Sequence, residues 1–327
     1  MTQFRFTSLR QQIDETPGSS SGVSRRAFLS GAATVAGAAA LPLGVADAAG
    51  LVIDPIKRAG PSRLRVGLAA YSMRDFLQAK PPEKPKMDLL GFVDWAATLD
   101  TDAVELTSYF FPDPVTPEFL LELKRRCHLN GLDISGGAIR NNFTLPPGEE
   151  LENWFKHLDK WLDYYSILGA PVIRVFAGIP PKGVTEEQGI QNAIVNMNRA
   201  CEMAAKKGVI LGLENHDYLT KIDRLVPIIK AVKSPWFGVN FDSGNVDSDN
   251  PYPELAKIAP YAVNVQLKVD VGPPTAKVPT DIPRVVKLLK DAGFRGYIVL
   301  EYESKPDPYV AIPKHLAELR AAIAAVS

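Results

Sequence analysis

The stretch Val209-Ile210-Leu211-Gly212-Leu213-Glu214-Asn215-His216-Asp217 decides the fold. Five apolar or small residues in a row, without helical spacing, predict a strand buried on both faces, as in a parallel sheet. The run then breaks into Glu214, Asn215, His216 and Asp217, polar groups at the point where a strand leaves its sheet. A carboxylate at the carboxyl end of a buried parallel strand is where a (β/α) barrel carries its chemistry. One such residue suits a loop cap or a salt bridge equally well, so the weight falls on whether the pattern recurs.

Outward from this stretch, strands and helices alternate. Strands are predicted over 64–72, 103–107, 132–138, 171–177, 209–214, 237–242, 262–268 and 297–301. Helices are predicted over 88–99, 117–130, 221–232, 252–258, 282–292 and 312–325, with a further one carrying Trp154, Leu158, Trp161, Leu162 and Tyr165 on one face. Thr116 and Pro117 mark one helix start, and Thr185 with Gln188 form a capping box for a helix that ends at Lys207-Gly208. Eight strands, each followed by a helix, predict an α/β fold of the closed (β/α)8, or TIM barrel, type. An open doubly wound sheet is the alternative, but no Gly-x-Gly-x-x-Gly follows any strand.

The pattern does recur. Strand five ends in Glu214, strand six in Asp242, strand seven in Gln266 and strand eight in Glu301. In a barrel these ends converge on one mouth, and three carboxylates buried together need a cation. The four residues are therefore expected to hold one divalent metal ion. An all-oxygen shell suits Mn or Mg best, with Zn and Co as further possibilities. Lys268 lies two residues beyond Gln266, on the same side of the strand, and is placed to donate to a substrate oxygen. His216 shares the parity of Glu214, Tyr71 follows strand one on the same face, and Arg174 sits in strand four. All are candidates for substrate contact.

Composition narrows the function. The chain has 37 Lys and Arg against 37 Asp and Glu, and its basic clusters are short, which excludes a nucleic-acid track. Cys127 and Cys201 stand on separate predicted helices without metal-ligand spacing, and read as buried residues, with a disulfide as the alternative in an oxidising periplasm. Ser24-Arg25-Arg26-Ala27-Phe28-Leu29 precedes an Ala/Gly-rich run, and Ala46-Asp47-Ala48 supplies small residues for cleavage. Residues 1–48 thus read as a twin-arginine signal peptide, 49–63 as a linker and 64–327 as the barrel. The expected partners are the twin-arginine export machinery and a small-molecule sugar or sugar derivative. The expected location is the periplasm, without stable membrane insertion after cleavage. An uncleaved, membrane-anchored signal is the alternative, and oligomeric state is left open.

The residues at the strand ends resemble the xylose-isomerase-like barrels, a family that includes sugar isomerases, epimerases and apurinic endonucleases. The resemblance spans roughly 64–304 and implies Glu, Asp, His and Glu after strands five to eight, here Glu214, Asp242, Gln266 and Glu301. Glu105 resembles a further recurrent acidic position. Two departures stand out: Gln266 replaces the usual histidine, and Asn245 stands where many members carry a second one. The resemblance implies a sugar isomerase or epimerase in which Glu214 and Glu301 transfer a proton next to a carbonyl, with Glu105 and Asn245 near the substrate. A lyase or dehydratase on a keto-sugar, keto-glycoside or inosose begins with the same proton abstraction. A non-catalytic sugar-binding barrel is the third reading. Four histidines, His128, His157, His216 and His315, are too few for the multi-zinc site of the endonucleases.

Overall fold

A computed structural model describes residues 54–79 and 83–327. The predicted signal peptide, 1–48, and the first part of the linker lie outside the described residues. No helix among the described residues is long and apolar enough to cross a membrane.

Eight parallel strands close into a barrel: β1 (Arg63–Ala69), β2 (Ala103–Thr107), β3 (Asp133–Ala138), β4 (Val172–Val175), β5 (Ile210–Glu214), β6 (Phe237–Asp242), β7 (Ala262–Leu267) and β8 (Arg295–Leu300). Each pairs with its sequence neighbours, and β8 closes on β1 with Gly67 opposite Val299 and Leu68 opposite Leu300. The helices of the outer layer are α1 (Leu89–Ala97), α2 (Pro117–Leu129), α3 (Glu149–Leu168), α4 (Glu186–Lys207), α5 (Ile222–Ala231), α6 (Pro251–Ile258), α7 (Ile282–Asp291) and α8 (Pro308–Val326). The start signals act as read. The Thr116 hydroxyl accepts from the Phe119 N–H, and both halves of the Thr185–Gln188 box are made.

Packing is tightest where α3 meets the barrel. Tyr165 is fully buried, and its hydroxyl donates to the Leu106 carbonyl at 2.6 Å while accepting from the Ala138 N–H at 3.2 Å. Gly137 makes room for it, since a Cβ there would lie 2.0 Å from the tyrosine ring. One side chain thereby ties α3 to β2 and β3 with its phenol satisfied. Trp161, Leu158 and Leu162 are buried alongside, so the aromatic face of this helix is core.

Several boundaries move, each for a local reason. β1 stops at Ala69, three residues short of the predicted end, because the chain turns so that Ser72 can bond across to the last strand. Its hydroxyl donates to the Leu300 carbonyl and accepts from the Tyr302 N–H. β4 stops at Val175 because the side chain of Asn141 takes both the N–H and the carbonyl of Phe176. α8 begins at Pro308 rather than 312, since Asp307 caps it and Pro313 is accommodated inside. A two-stranded antiparallel ribbon, Asp270–Val271 with Val278–Pro279, follows β7 and was not expected. Cys127 and Cys201 are free and buried.

Part of the predicted linker belongs to the barrel's packing. The Ile56 N–H donates to the Pro260 carbonyl, and the Ser62 hydroxyl donates to the Phe294 carbonyl at 2.5 Å. The Arg58 guanidinium lies 5.4 Å from the Phe294 ring centre. Pro260 and Phe294 immediately precede β7 and β8, so this segment covers the end of the barrel opposite the mouth.

Candidate active site

The interior of the mouth is built by strict alternation. In β7 and the residue after it, Asn264, Gln266 and Lys268 point inward while Val265 and Leu267 pack outward, and β6 repeats the pattern with Asn240 and Asp242 around Phe241. Asp242 stands opposite Gln266 and Asn240 opposite Asn264, so the polar side chains form layers.

The lower layer is a closed hydrogen-bonded ring. Glu105 Oε2 accepts from Asn264 Nδ2 at 2.6 Å, and Asn264 Nδ2 also donates to Asn240 Oδ1 at 2.7 Å. Asn240 Nδ2 donates to Gln266 Oε1, and Gln266 Nε2 returns to Glu105 Oε1, both at 2.6 Å. A carboxylate only accepts, so ionised Glu105 fixes which way every amide in the ring points. Burial, reinforced by the negative charge of Glu301, pushes the Glu105 carboxyl up to about 7.

The upper layer is a pair of charge clusters. Arg174 Nε lies 3.0 Å from Glu214 Oε2, both side chains almost wholly buried, and Asn245 Nδ2 donates to Glu214 Oε1 at 3.0 Å. Arg174 also donates to the Ile139 carbonyl and stacks over Phe176 at 4.0 Å. In the second cluster the Lys268 ammonium is bonded to Glu301 and Glu303 and lies 3.4 Å from Asp242 Oδ2. The other Asp242 oxygen accepts from the N–H groups of Gly244 and Asn245 at 2.8 and 2.9 Å. Burial raises Asp242 to about 6 and also raises Glu301, in both cases against the pull of Lys268. Burial works against the Lys268 charge too, but Asp242, Glu301 and Glu303 outweigh it and hold its pKa well above the ordinary value.

These clusters wall a cavity of about 110 Å³, lined by Glu214, Glu301, Lys268, Arg174, His216 and Asn245, with Tyr71, Tyr109, Arg140, Phe176 and Glu303 around them. His216 stacks on Phe176 with ring centres 4.3 Å apart and lies 3.1 Å from Asp217, whose hydrogen bond, together with the Glu214 charge, raises the imidazole pKa against burial. A wider depression of about 790 Å³ lies beside this cavity and shares Tyr109 with it, but carries neither charge cluster.

Seven of the predicted site residues therefore meet at one cavity: Tyr71, Arg174, Glu214, His216, Asn245, Lys268 and Glu301. Three predicted roles need correction. Glu105 is fully buried as the anchor of the amide ring and does not reach the cavity wall. Gln266 does not offer an oxygen to a metal, because Asn240 holds that oxygen and the Gln266 NH2 faces Glu105 and Glu301. Asp242 is buried next to Lys268 and the Gly244 and Asn245 amides. Among the described residues, no group of three or more His, Cys, Asp or Glu side chains is arranged to hold a metal ion. The donor set fits a divalent ion poorly, since the Lys268 ammonium already lies against Asp242, Glu301 and Glu303, and Arg174 against Glu214. Glu303 was missed. It lies two residues past Glu301, and the i, i+2 parity of Glu301-Tyr302-Glu303 was the available signal.

The residues 93–322, well over half of the chain, match the model of the xylose isomerase-like TIM barrel. This chain belongs to that family. No curated protein matches it in sequence. Among solved structures, the xylose isomerase-like chain is similar to a xylose isomerase domain protein from Planctomyces limnophilus, with 18% identity, a TM-score of 0.60, and 81% of this chain and 99% of that one covered. It is similar to D-psicose 3-epimerase from Clostridium cellulolyticum H10, with 17% identity, a TM-score of 0.60, and coverage of 79% and 96%. It also resembles 3-keto-D-glucoside 4-epimerase from E. coli, with 16% identity, a TM-score of 0.62, and coverage of 79% and 100%. At these identities the likeness is one of fold.

The buried acids make stability depend on pH. Glu105 has a folded pKa near 7 against an ordinary 4.5, so the native state binds the proton more tightly than the unfolded chain. Its contribution is full below the unfolded value and is lost as pH rises through the folded one. Between about pH 4.5 and 7, wild type should therefore lose stability relative to Glu105→Gln, by an amount on the order of a few kcal/mol. Urea unfolding of both proteins across that range measures the difference. Parallel curves would refute the reading of Glu105 as a strained buried acid.

Proposed function

We propose that the protein is a sugar isomerase or epimerase that moves a proton on a carbon next to a carbonyl. One observation carries this reading: Glu214 and Glu301 both face the same small cavity, each beside a protein cation. Burial raises the Glu301 carboxyl above its ordinary value, against the pull of Lys268, which favours its holding a proton for part of a transfer. One carboxylate takes the proton, and the C–H pair becomes the enediolate double bond as the carbonyl π pair moves onto oxygen. A protonated carboxyl, the same one or the other, then returns a proton to the same or the neighbouring carbon. Glu214, fixed by Arg174 and Asn245, is the better oriented of the two. Tyr71 and Tyr109 line the cavity beside a carbon skeleton, while His216 and Asn245 offer polar contacts to hydroxyl groups.

A neutral sugar or sugar derivative suits the cavity, whose basic groups are largely consumed by internal carboxylates. The names of the two similar epimerases, which act on a ketohexose and a keto-glycoside, support the same substrate class. The deciding experiment incubates the protein with ketoses, keto-glycosides and inososes in deuterated water and follows loss of carbon-bound hydrogen by NMR. Exchange with at least one of them is the expected result. No exchange with any would leave the sugar-binding alternative in its place.

We also propose export to the periplasm by the twin-arginine route, on the strength of Arg25-Arg26, the Ala/Gly-rich run and the small residues before Ala49. Arg25→Lys with Arg26→Lys should leave the protein in the cytoplasm, as fractionation and immunoblotting would read. Unchanged export would refute it.

A further inference from the structure

The mouth of this barrel contains more acid than its chemistry uses, and the way that charge is met is specific. Lys268 is bonded to Glu301 and Glu303 and stands 3.4 Å from Asp242, with its side chain 8% exposed. A Cβ on Gly244 would lie 2.5 Å from Lys268 Cβ and 2.6 Å from Lys268 Cγ, so the base of the lysine side chain packs closely against that glycine. The Lys268 N–H donates to Ser243 Oγ at 2.8 Å, which fixes the backbone from which the side chain departs.

Most of the atoms that a metal would need from the four strand ends have another partner; Asp242 Oδ2 accepts no hydrogen bond but lies 3.4 Å from the Lys268 ammonium. Arg174 and Asn245 take the two oxygens of Glu214. The Gly244 and Asn245 amides take Asp242 Oδ1, and Lys268 faces Oδ2. Lys268 holds Glu301, and Asn240 holds the oxygen of Gln266. The histidine that would supply a neutral nitrogen ligand is absent. A divalent ion entering this space would meet an ammonium already at its centre, and like charges in a buried site repel strongly.

We propose that the Lys268 ammonium is the resident cation of this site, taking the place of a divalent metal and binding the substrate oxygen on which negative charge develops. The inference rests on the proton-transfer reading above. As the carbon-bound proton passes to a carboxylate, its electron pair forms the new C=C bond and the carbonyl π pair moves onto oxygen. That oxygen is held by the ammonium through a charge-assisted hydrogen bond. Return of a proton to carbon reverses the flow, so no oxidant, reductant or further reactant enters.

The experiment titrates the full-length protein with Mn2+ and follows free Mn2+ by electron paramagnetic resonance, with metal analysis of the protein as purified. Wild type should carry no stoichiometric metal. Lys268→Gln removes the charge and leaves Asp242, Glu301 and Glu303 facing one another, so it should bind Mn2+ at least about tenfold more tightly. Lys268→Arg keeps the charge and should behave like wild type. A stoichiometric ion in wild type overturns the proposal, as does equal Mn2+ binding by wild type and Lys268→Gln. Wild type alone decides the first point if the glutamine variant fails to fold. The readout is metal bound, not turnover, so this proposal and the proton-transfer reading fail separately. Absent deuterium exchange counts against that reading alone, and Mn2+ uptake by wild type counts against this one alone.

Discussion

Glu301→Gln should lower solvent-hydrogen exchange by about a hundred- to ten-thousand-fold, the usual worth of a general base. The substitution conserves shape, and Lys268 keeps Glu303 and Asp242 as partners, so the barrel should still fold. An amide cannot take the proton from carbon. Deuterium incorporation followed by NMR, at matched substrate saturation, gives the ratio. Glu214→Gln provides the parallel arm, and a deficit there as well would show that both carboxylates take part. Undiminished exchange in the Glu301 variant would remove it from the proton path.

Arg174→Met should be among the most destabilising single changes in the protein. Arg174 and Glu214 are an ion pair with side chains only 5% and 4% exposed. Removing one member of a buried pair strands the other charge, at about 3–5 kcal/mol. The loss includes packing, because the guanidinium also covers Phe176. Pairing the change with Glu214→Leu separates the two contributions, since the double variant no longer buries a lone carboxylate. Urea unfolding should show the double variant recovering much of what the single one loses. If the single variant loses no more than an exposed pair is worth, roughly 1 kcal/mol, the two charges are not held as described.

Much of this site could be read from the chain because strand parity is a rigid rule. Glu214, Lys268 and Glu301 lie where alternate residues of buried strands must face the mouth, and the structure puts them on one wall. Arg174 needed its strand to be located first, and β4 is short because Asn141 intercepts Phe176, a long-range bond with no local signal. The role of Gln266 was not legible for a different reason. An amide carries both a donor and an acceptor, and residue type cannot say which end faces a neighbour. Only the closed ring through Asn240, Asn264 and Glu105 settles its direction. Asn240 and Asn264 occupy inward positions of β6 and β7, and nothing in their local sequence says that they bond to one another. Acidic residues counted along the chain point to a metal, because the sequence does not show that Lys268 lies among Asp242, Glu301 and Glu303.

The ring has a consequence for how protons travel in this interior. Gln266 stands between two buried acids, with its NH2 2.6 Å from Glu105 and 3.5 Å from Glu301. A histidine in that place would be a conductor, able to receive a proton on one nitrogen and release it from the other. The carboxamide has no such cycle and is an insulator. Glu301 is thus electrically aware of Glu105, whose charge reaches it through space, yet cannot exchange a proton with it along the ring. The barrel leaves Glu301 facing the cavity and cut off from the acid buried behind it.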